Sequence, residues 1–338
     1  MTRRIVTTGV VGFGPLPRLV RQRAGESELE RLFASVDLPL KLLDRREARL
    51  PLADMVAVFD RAADLLGDPW LGLTVGRGMR PEEYGTWARY AAAGPTLRHG
   101  LARLCRAVRY YQADDSIRGG LHGDLARVAY HQLGVGSGLG RQHLDHVLPL
   151  LISFVRAFLG ATWRPLWVEV PYAGGGAAND LADRLGTEVR YDRPGIGLVL
   201  DRALLDAAGR GVSPHWTELR HMVRGRSGSA FSRSVADVVD LRLTSGAVAL
   251  DGAATRLGLR ARTLQRRLRA EGLSYRQVVD SVRRTHAQIA LAQTAAPVAD
   301  IATRLGYAEP AHFTRAFHRW HGCSPSEWRR TRGVAAAP

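Results

Sequence analysis

The pentapeptide ATRLG occurs at residues 254–258 and again, identical, at 302–306. Each copy closes a short apolar stretch on glycine, which enters the left-handed conformation of a helix stop without a Cβ penalty. Each is followed by a second amphipathic stretch, RARTLQRRLRAEG from Arg260 and AEPAHFTRAFHRWHG from Ala308. A helix, a glycine turn and another helix form a helix-turn-helix, and here the pattern is written twice. The chain downstream of about residue 230 is accordingly read as almost wholly helical.

Between the copies, residues 275–293 read as one long helix, opened by Ser274 and Gln277 in the Ser-x-x-Gln capping arrangement. About 19 residues at 1.5 Å each span about 28 Å, close to the roughly 34 Å between successive major-groove faces of B-DNA. Pro297 stands just inside the next helix, and Ser324, Pro325 and Glu327 open a last one with a second capping box.

The second helix of each unit divides into faces. In the first, Leu264 and Leu268 point inward, leaving Arg262, Gln265, Arg266 and Arg269 along the other side. Arginine bonds guanine O6 and N7, and glutamine adenine N6 and N7, each pair worth about 1–3 kcal/mol of discrimination. In the second unit Phe313, Phe317 and Trp320 form the inward stripe, and His312, Arg315 and Arg319 the outward one. Ala311 and Arg315 fall at the places of Arg262 and Arg266 if the second turn is one residue longer. An alanine–arginine pair reads fewer bases, so the first unit is expected to supply more specificity. Arg269, Thr314 and Arg319 are expected on phosphates. His312, His318 and His321 spread around the helix and Cys323 falls beyond its closing glycine, so they do not form a metal site.

Charge agrees with a polyanionic partner. The chain carries a formal net charge of +16, and its single lysine, Lys41, stands among 48 basic residues. Residues 231–338 hold 17 arginines against 8 acidic residues, net +9, more than half of the excess in under a third of the 338 residues. Such a domain gains affinity for nucleic acid by releasing phosphate counterions. Two cysteines, Cys105 and Cys323, are too few for a disulfide framework and fit a reducing compartment. The N-terminal apolar run is short and broken by glycine and proline, and no stretch reaches the roughly 18–20 apolar residues of a membrane span, so a soluble, cytoplasmic protein is expected.

The length suits two domains. We read residues 1–223 as an α+β domain, 224–230 (RGRSGSA) as a linker, and 231–338 as an all-α DNA-binding domain with two helix-turn-helix motifs joined by a long helix. Helical spacing marks residues 52–66, 97–111 and 143–159. Alternating runs mark strands at 116–121, 126–132 and 166–172, with two more at 188–191 and 197–200 and a hairpin turn at 120–124.

Residues 231–332 resemble the DNA-binding domain of the AraC/XylS family of bacterial transcription regulators. The resemblance is carried by AATRLGLRARTLQRRLRAEG, by YRQVVDSVRRTHAQIALAQT, and by VADIATRLGYAEPAHFTRAFHRWHGCSPSEWRR with its LGY, F-x-RAF-x-RW-x-G and SP-x-E-x-R spacings. It implies a seven-helix domain that binds duplex DNA through two successive major-groove segments. It also assigns base contacts to Arg262, Gln265 and Arg266 in the first unit and to Ala311, His312 and Arg315 in the second. Ala311 departs from the polar residue common there. Residues 20–210 resemble the arabinose-binding-type domain of regulators of ornithine, amine and related catabolism, through PLADMVAVFDRAADLLGDPWLGLTVG, YGTWARYAAAGPTLRHGLARLCRAVRYY and WRPLWVEVPYAGGGAAND. The resemblance implies an effector-responsive homodimer that activates a catabolic operon and touches RNA polymerase.

Competing chemistry is thin. The glycine-rich stretches 134–140 and 174–176 lack the spacings of phosphate-binding loops, and no cofactor is implied. His143 and His146 with Asp145 offer two metal ligands on one helical face but no evident third, which favours packed histidines. Aromatic residues gather in the N-terminal domain, and Trp87, Tyr110, Tyr111 and Trp167 are expected to line a pocket for a small effector resembling an amino acid, amine or sugar. An alternative, a regulator whose N-terminal domain is also an alkyl acceptor, needs an activated cysteine, whereas Cys105 lies mid-helix among core-like neighbours.

Overall fold

The computed structural model describes residues 6–108, 111–112, 117–131, 140–174, 178–209, 228–243 and 248–332. The chain divides into two compact units, Met1–Ser227 and Gly228–Pro338. Most of the expected linker lies outside the described residues.

The first unit mixes helices with two sheets. β1 (Thr7–Gly9) and β2 (Arg49–Pro51) pair antiparallel, each too short to show an alternating pattern in sequence. The larger sheet contains β3 (Ile117–His122), β4 (Leu125–Tyr130), β5 (Trp167–Glu169), β6 (Glu188–Arg190) and β7 (Ile196–Asp201) in the order β3-β4-β7-β5-β6. All pairs are antiparallel except β5–β6. β3 and β4 turn at Gly123 and Asp124, with Gly123 at a φ of +58°.

The helix Arg141–Leu159 forms the spine of this unit. The shorter helix Leu71–Arg77 lies so close to it that a Cβ on Gly72 or Gly76 would sit 1.9 Å from the Gln142 carbonyl oxygen or 2.3 Å from that of His146. Two glycines one turn apart therefore set how deep the spine sits. Gln142 fastens the crossing, accepting from the Gly72 N–H at 2.8 Å and donating to the Pro69 carbonyl at 2.9 Å. Phe13, Phe33 and Phe59, fully buried, pack beside it.

Seven helices make up the described part of the second unit: Ala230–Leu243, Leu250–Arg256, Ala261–Ala270, Tyr275–Gln293, Val298–Arg304, Pro310–His321 and Pro325–Arg332. Both expected capping boxes form. Ser274 and Gln277 bond reciprocally, as do Ser324 and Glu327, which holds the exposed Glu327 carboxyl below its ordinary pKa. Pro297 caps the Val298–Arg304 helix from outside rather than entering it, its ψ of 145° being the extended conformation of an N-cap. Ala287, Leu291, Ile301, Phe313, Phe317 and Trp328 make one core beneath the second sequence repeat.

Candidate functional site

The repeated pentapeptide adopts the same turn twice. Leu259 N–H bonds the Ala254 carbonyl at 2.9 Å and Tyr307 N–H bonds that of Ala302 at 3.0 Å; Gly258 and Gly306 bond Thr255 and Thr303, each at 2.9 Å. Both glycines have positive φ, +63° and +71°. Burial repeats as well: Ala254 and Ala302 are buried, and so are Leu257 and Leu305. The following helix starts one residue later in the second copy, at Pro310 rather than at a residue matching Ala261. With that offset Leu264 and Leu268 match Phe313 and Phe317, all four buried. Fully burying one such side chain contributes about 1.5–3 kcal/mol.

The offset fixes the outward faces. Arg262 and Arg266 are exposed and Gln265 half-buried; their counterparts are Ala311, Arg315 and Thr314. Arg269 matches His318, both exposed. Arg319 has no counterpart among the outward arginines of the first pair and forms an ion pair with Asp280 of the long helix at 3.3 Å. His312 stands 3.7 Å from Glu309. The Thr314 hydroxyl donates to the Pro310 carbonyl at 3.1 Å, which turns its one proton back into the helix. His321 packs its ring 4.5 Å from that of Phe317, where the last helix brings Trp328 against it.

The long helix contributes residues the sequence did not single out. Arg283 donates to the carbonyls of Leu305 and Gly306 at 2.9 and 3.1 Å and lies 4.4 Å over the Tyr307 ring, clamping the second turn. With Arg276 and Asp280 it faces His312, Arg315 and Arg319 across a cleft of about 390 Å³. Lined by four arginines and one aspartate, this cleft suits an anion.

In the first unit a cavity of about 80 Å³ lies between the Arg141–Leu159 helix, the sheet and the Thr86–Ala92 helix. Trp87 and Tyr111 line it, their rings stacked 5.1 Å apart, with Tyr84 edge-on to both. Tyr110 lies outside the described residues. Trp167, expected at the pocket, is not part of its wall: side chains alternate along β5, Val168 takes the core face, and Trp167 faces outward beneath the Arg190 guanidinium at 3.5 Å.

His143 and His146 form part of the wall. Burial lowers the pKa of His143 to about 4 and that of His146 well below its ordinary value, so both are neutral at pH 7. His146 Nε2 lies 2.7 Å from the Tyr84 hydroxyl, while the Nδ1 atoms of both rings and Trp87 Nε1 are buried without a hydrogen-bond partner. Asp145 turns to the opposite side of the helix, bonded by the Tyr172 hydroxyl and 3.4 Å from Arg141, and burial raises its pKa to about 6. Asp145 is thereby separated from the two imidazoles. Among the described residues no group of three His, Cys, Asp or Glu is placed to hold a metal, and no helix is long and apolar enough to cross a membrane.

Comparison with known proteins agrees with the division into units. Residues 27–208 match the family described as the arabinose-binding domain of AraC transcription regulator, N-terminal, and residues 253–331 match a helix-turn-helix domain. The chain is 25% identical over 308 residues to the HTH-type transcriptional regulator VirS of Mycobacterium tuberculosis, covering 88% of this chain and 90% of VirS. It is 24% identical over 326 residues to the ornithine utilization regulator of Pseudomonas aeruginosa, covering 89% and 90%. Among solved structures it resembles the transcriptional regulator CdpR from Pseudomonas aeruginosa, with 20% identity, 89% and 96% coverage and a TM-score of 0.39.

Proposed function

The chain belongs to the AraC family of transcription regulators, and on that premise we propose that it reads duplex DNA with two helices placed in successive major-groove segments. The observation that carries this reading is the equivalence of the two helix pairs, turn for turn and buried residue for buried residue. In this reading each pair is a helix-turn-helix, residues 231–338 bind DNA, and the 19-residue helix Tyr275–Gln293 spaces the pairs. Arg262, Gln265 and Arg266 contact bases from the first pair; Ala311, His312 and Arg315 face them from the second. Arg269 and Arg319 engage phosphates, and Thr314 does so once its hydroxyl leaves the Pro310 carbonyl.

Residues 1–223 then form the sensing and dimerisation domain, joined by a linker at 224–230, and a small molecule bound there sets the activity of a cytoplasmic activator that touches RNA polymerase at a catabolic operon. The cavity beside Trp87 and Tyr111 supports this placement of the effector. The alkyl-acceptor alternative finds no support at Cys105, whose burial raises its thiol pKa and so disfavours the thiolate such an acceptor needs.

Selection of bound fragments from genomic DNA by the purified chain, followed by footprinting, tests the reading. Expected is protection of two major-groove segments about 10 base pairs apart on one side of the duplex, with affinity falling as salt rises by roughly 0.9 log units per log unit of salt for each neutralised phosphate. Protection confined to one groove segment would remove the two-helix reading.

A further inference from the structure

The wall of the N-terminal cavity names a class of ligand different from the one the sequence led us to expect. Among the described residues no Asp, Glu, Arg or Lys lines it. Leu104, Ile117, Leu150 and Phe154 make apolar ground, and Tyr84, Trp87 and Tyr111 a curved aromatic one. The nearest acidic group on the spine helix, Asp145, is held on the other side by Tyr172 and Arg141. An amine or zwitterionic amino acid here would find no opposite charge among the described residues, and a sugar would set several hydroxyls against the apolar ground of Leu104, Ile117, Leu150 and Phe154.

The wall is nonetheless not fully satisfied. Trp87 Nε1–H needs an acceptor, and Nδ1 of both His143 and His146 lacks a partner. The 2.7 Å bond to Tyr84 uses Nε2 of His146, so either tautomer leaves Nδ1 unmet. Buried polar atoms without partners are uncommon in native proteins, and three on residues of one wall, none met by a described residue, suit a ligand that brings a polar atom of its own. The size limits what can bring them: at about 10–15 Å³ per water, 80 Å³ holds on the order of five waters, about the bulk of one ring.

Resting on the reading of this domain as an effector sensor, we propose that the cavity binds a neutral, single-ring-sized apolar compound bearing one hydroxyl or carbonyl oxygen. The ring lies against Trp87 and Tyr111, and the oxygen meets the free Trp87 and histidine nitrogens.

Thermal unfolding of the intact chain tests this with p-cresol and acetophenone against benzylamine, p-toluate, L-ornithine and L-arabinose. The neutral rings are expected to raise the melting temperature in proportion to the logarithm of their concentration, at concentrations at least tenfold below any effect of the charged or sugar compounds. Ala88→Leu and Leu150→Phe, which fill the cavity, should abolish the shift while far-UV circular dichroism stays unchanged. In case a filled cavity fails to fold, 4-fluorophenol provides a variant-free readout: its fluorine resonance should broaden with the wild-type chain and sharpen again on adding p-cresol, but not on adding benzylamine. Stabilisation by ornithine, benzylamine or arabinose in preference to the rings, persistence of the shift in well-folded filled variants, or no response to any neutral ring at millimolar concentration would each overturn the proposal. Ring binding by a chain that fails to bind duplex DNA would support the ligand class while removing the regulator reading. DNA binding without ring binding would do the reverse.

Discussion

The two helix pairs share a turn and differ in how they are supported. The first pair is seated on aliphatic residues, Ala253, Ala254, Leu257, Leu264 and Leu268, and presents Arg262 and Arg266 exposed. The second is seated on aromatics, with Phe317 packed among Phe313, Trp320, His321 and Trp328 at ring distances of 4.5–6.4 Å. It is also clamped by Arg283 and tethered through Arg319 to Asp280. Duplication therefore preserved the backbone device and let the side chains diverge: the first copy leaves Arg262 and Arg266 exposed, and the second ties Arg319 to Asp280. On the proposed reading, the second pair anchors the domain on DNA while the first discriminates.

The largest expected effect tests the seating. Phe317→Ala should cost about 3–5 kcal/mol of stability, whereas Leu268→Ala should fall lower in its range of about 2–5 kcal/mol, because a smaller side chain leaves a smaller cavity. Chemical denaturation followed by circular dichroism and tryptophan fluorescence measures both. Equal losses would show that the aromatic core adds nothing beyond the aliphatic one.

Next comes reading. On a selected duplex, Arg266→Ala should weaken binding by about 1–3 kcal/mol, roughly five- to 150-fold, and relax preference at one base pair. Arg315→Ala, the matched change, should cost less, since its turn-proximal neighbour on that face is Ala311 rather than an arginine. Titrations of both variants on that duplex decide the order, and a larger loss at Arg315 would reverse the comparison.

Much of this contrast was legible because local chemistry writes it. The glycines of the repeats, the capping residues Ser274 and Ser324, and the inward spacing of Leu264/Leu268 and Phe313/Phe317 act within a few residues of themselves, so spacing alone locates them. The helices Leu52–Leu66 and Tyr275–Gln293 begin and end as their patterns predict. What distant chain decides was not legible. β1 and β2, three residues each, exist through pairing across forty or more positions. The clamp by Arg283 joins residues more than twenty apart. Trp167 was misplaced because a three-residue strand hides which face is inward until Val168 is seen buried. His143 and His146 read as packed histidines, and they do pack, against Phe59; their place on one stripe with Leu150 and Phe154 was the available sign that they also face the cavity.

A smaller effect probes the clamp. Arg283→Lys keeps the charge but cannot span two carbonyls and the Tyr307 ring with a planar fork. Loss of one or two hydrogen bonds to a charged donor should cost about 1–3 kcal/mol, mostly as faster hydrogen exchange in the amides of the 302–307 turn. Arg283 bonds the 302–307 turn, and the 254–259 turn should therefore exchange as in the parent chain, so acceleration in both turns would mean that Arg283 supports the whole domain.

The smallest expected effect is also the most direct test of divergence. Ala311 occupies the second position of its helix, where the first pair carries Arg262, and it is exposed. Ala311→Arg should fold without loss, as an exposed substitution on a helix that tolerates arginine well. If the matched position faces the groove, the added guanidinium should tighten binding and steepen the salt dependence by about one further phosphate, roughly 0.9 in slope. Because the change adds charge without removing a buried contact, destabilisation cannot be mistaken for the result. An unchanged salt slope would place residue 311 away from the duplex and confine the equivalence of the two pairs to their turns and cores.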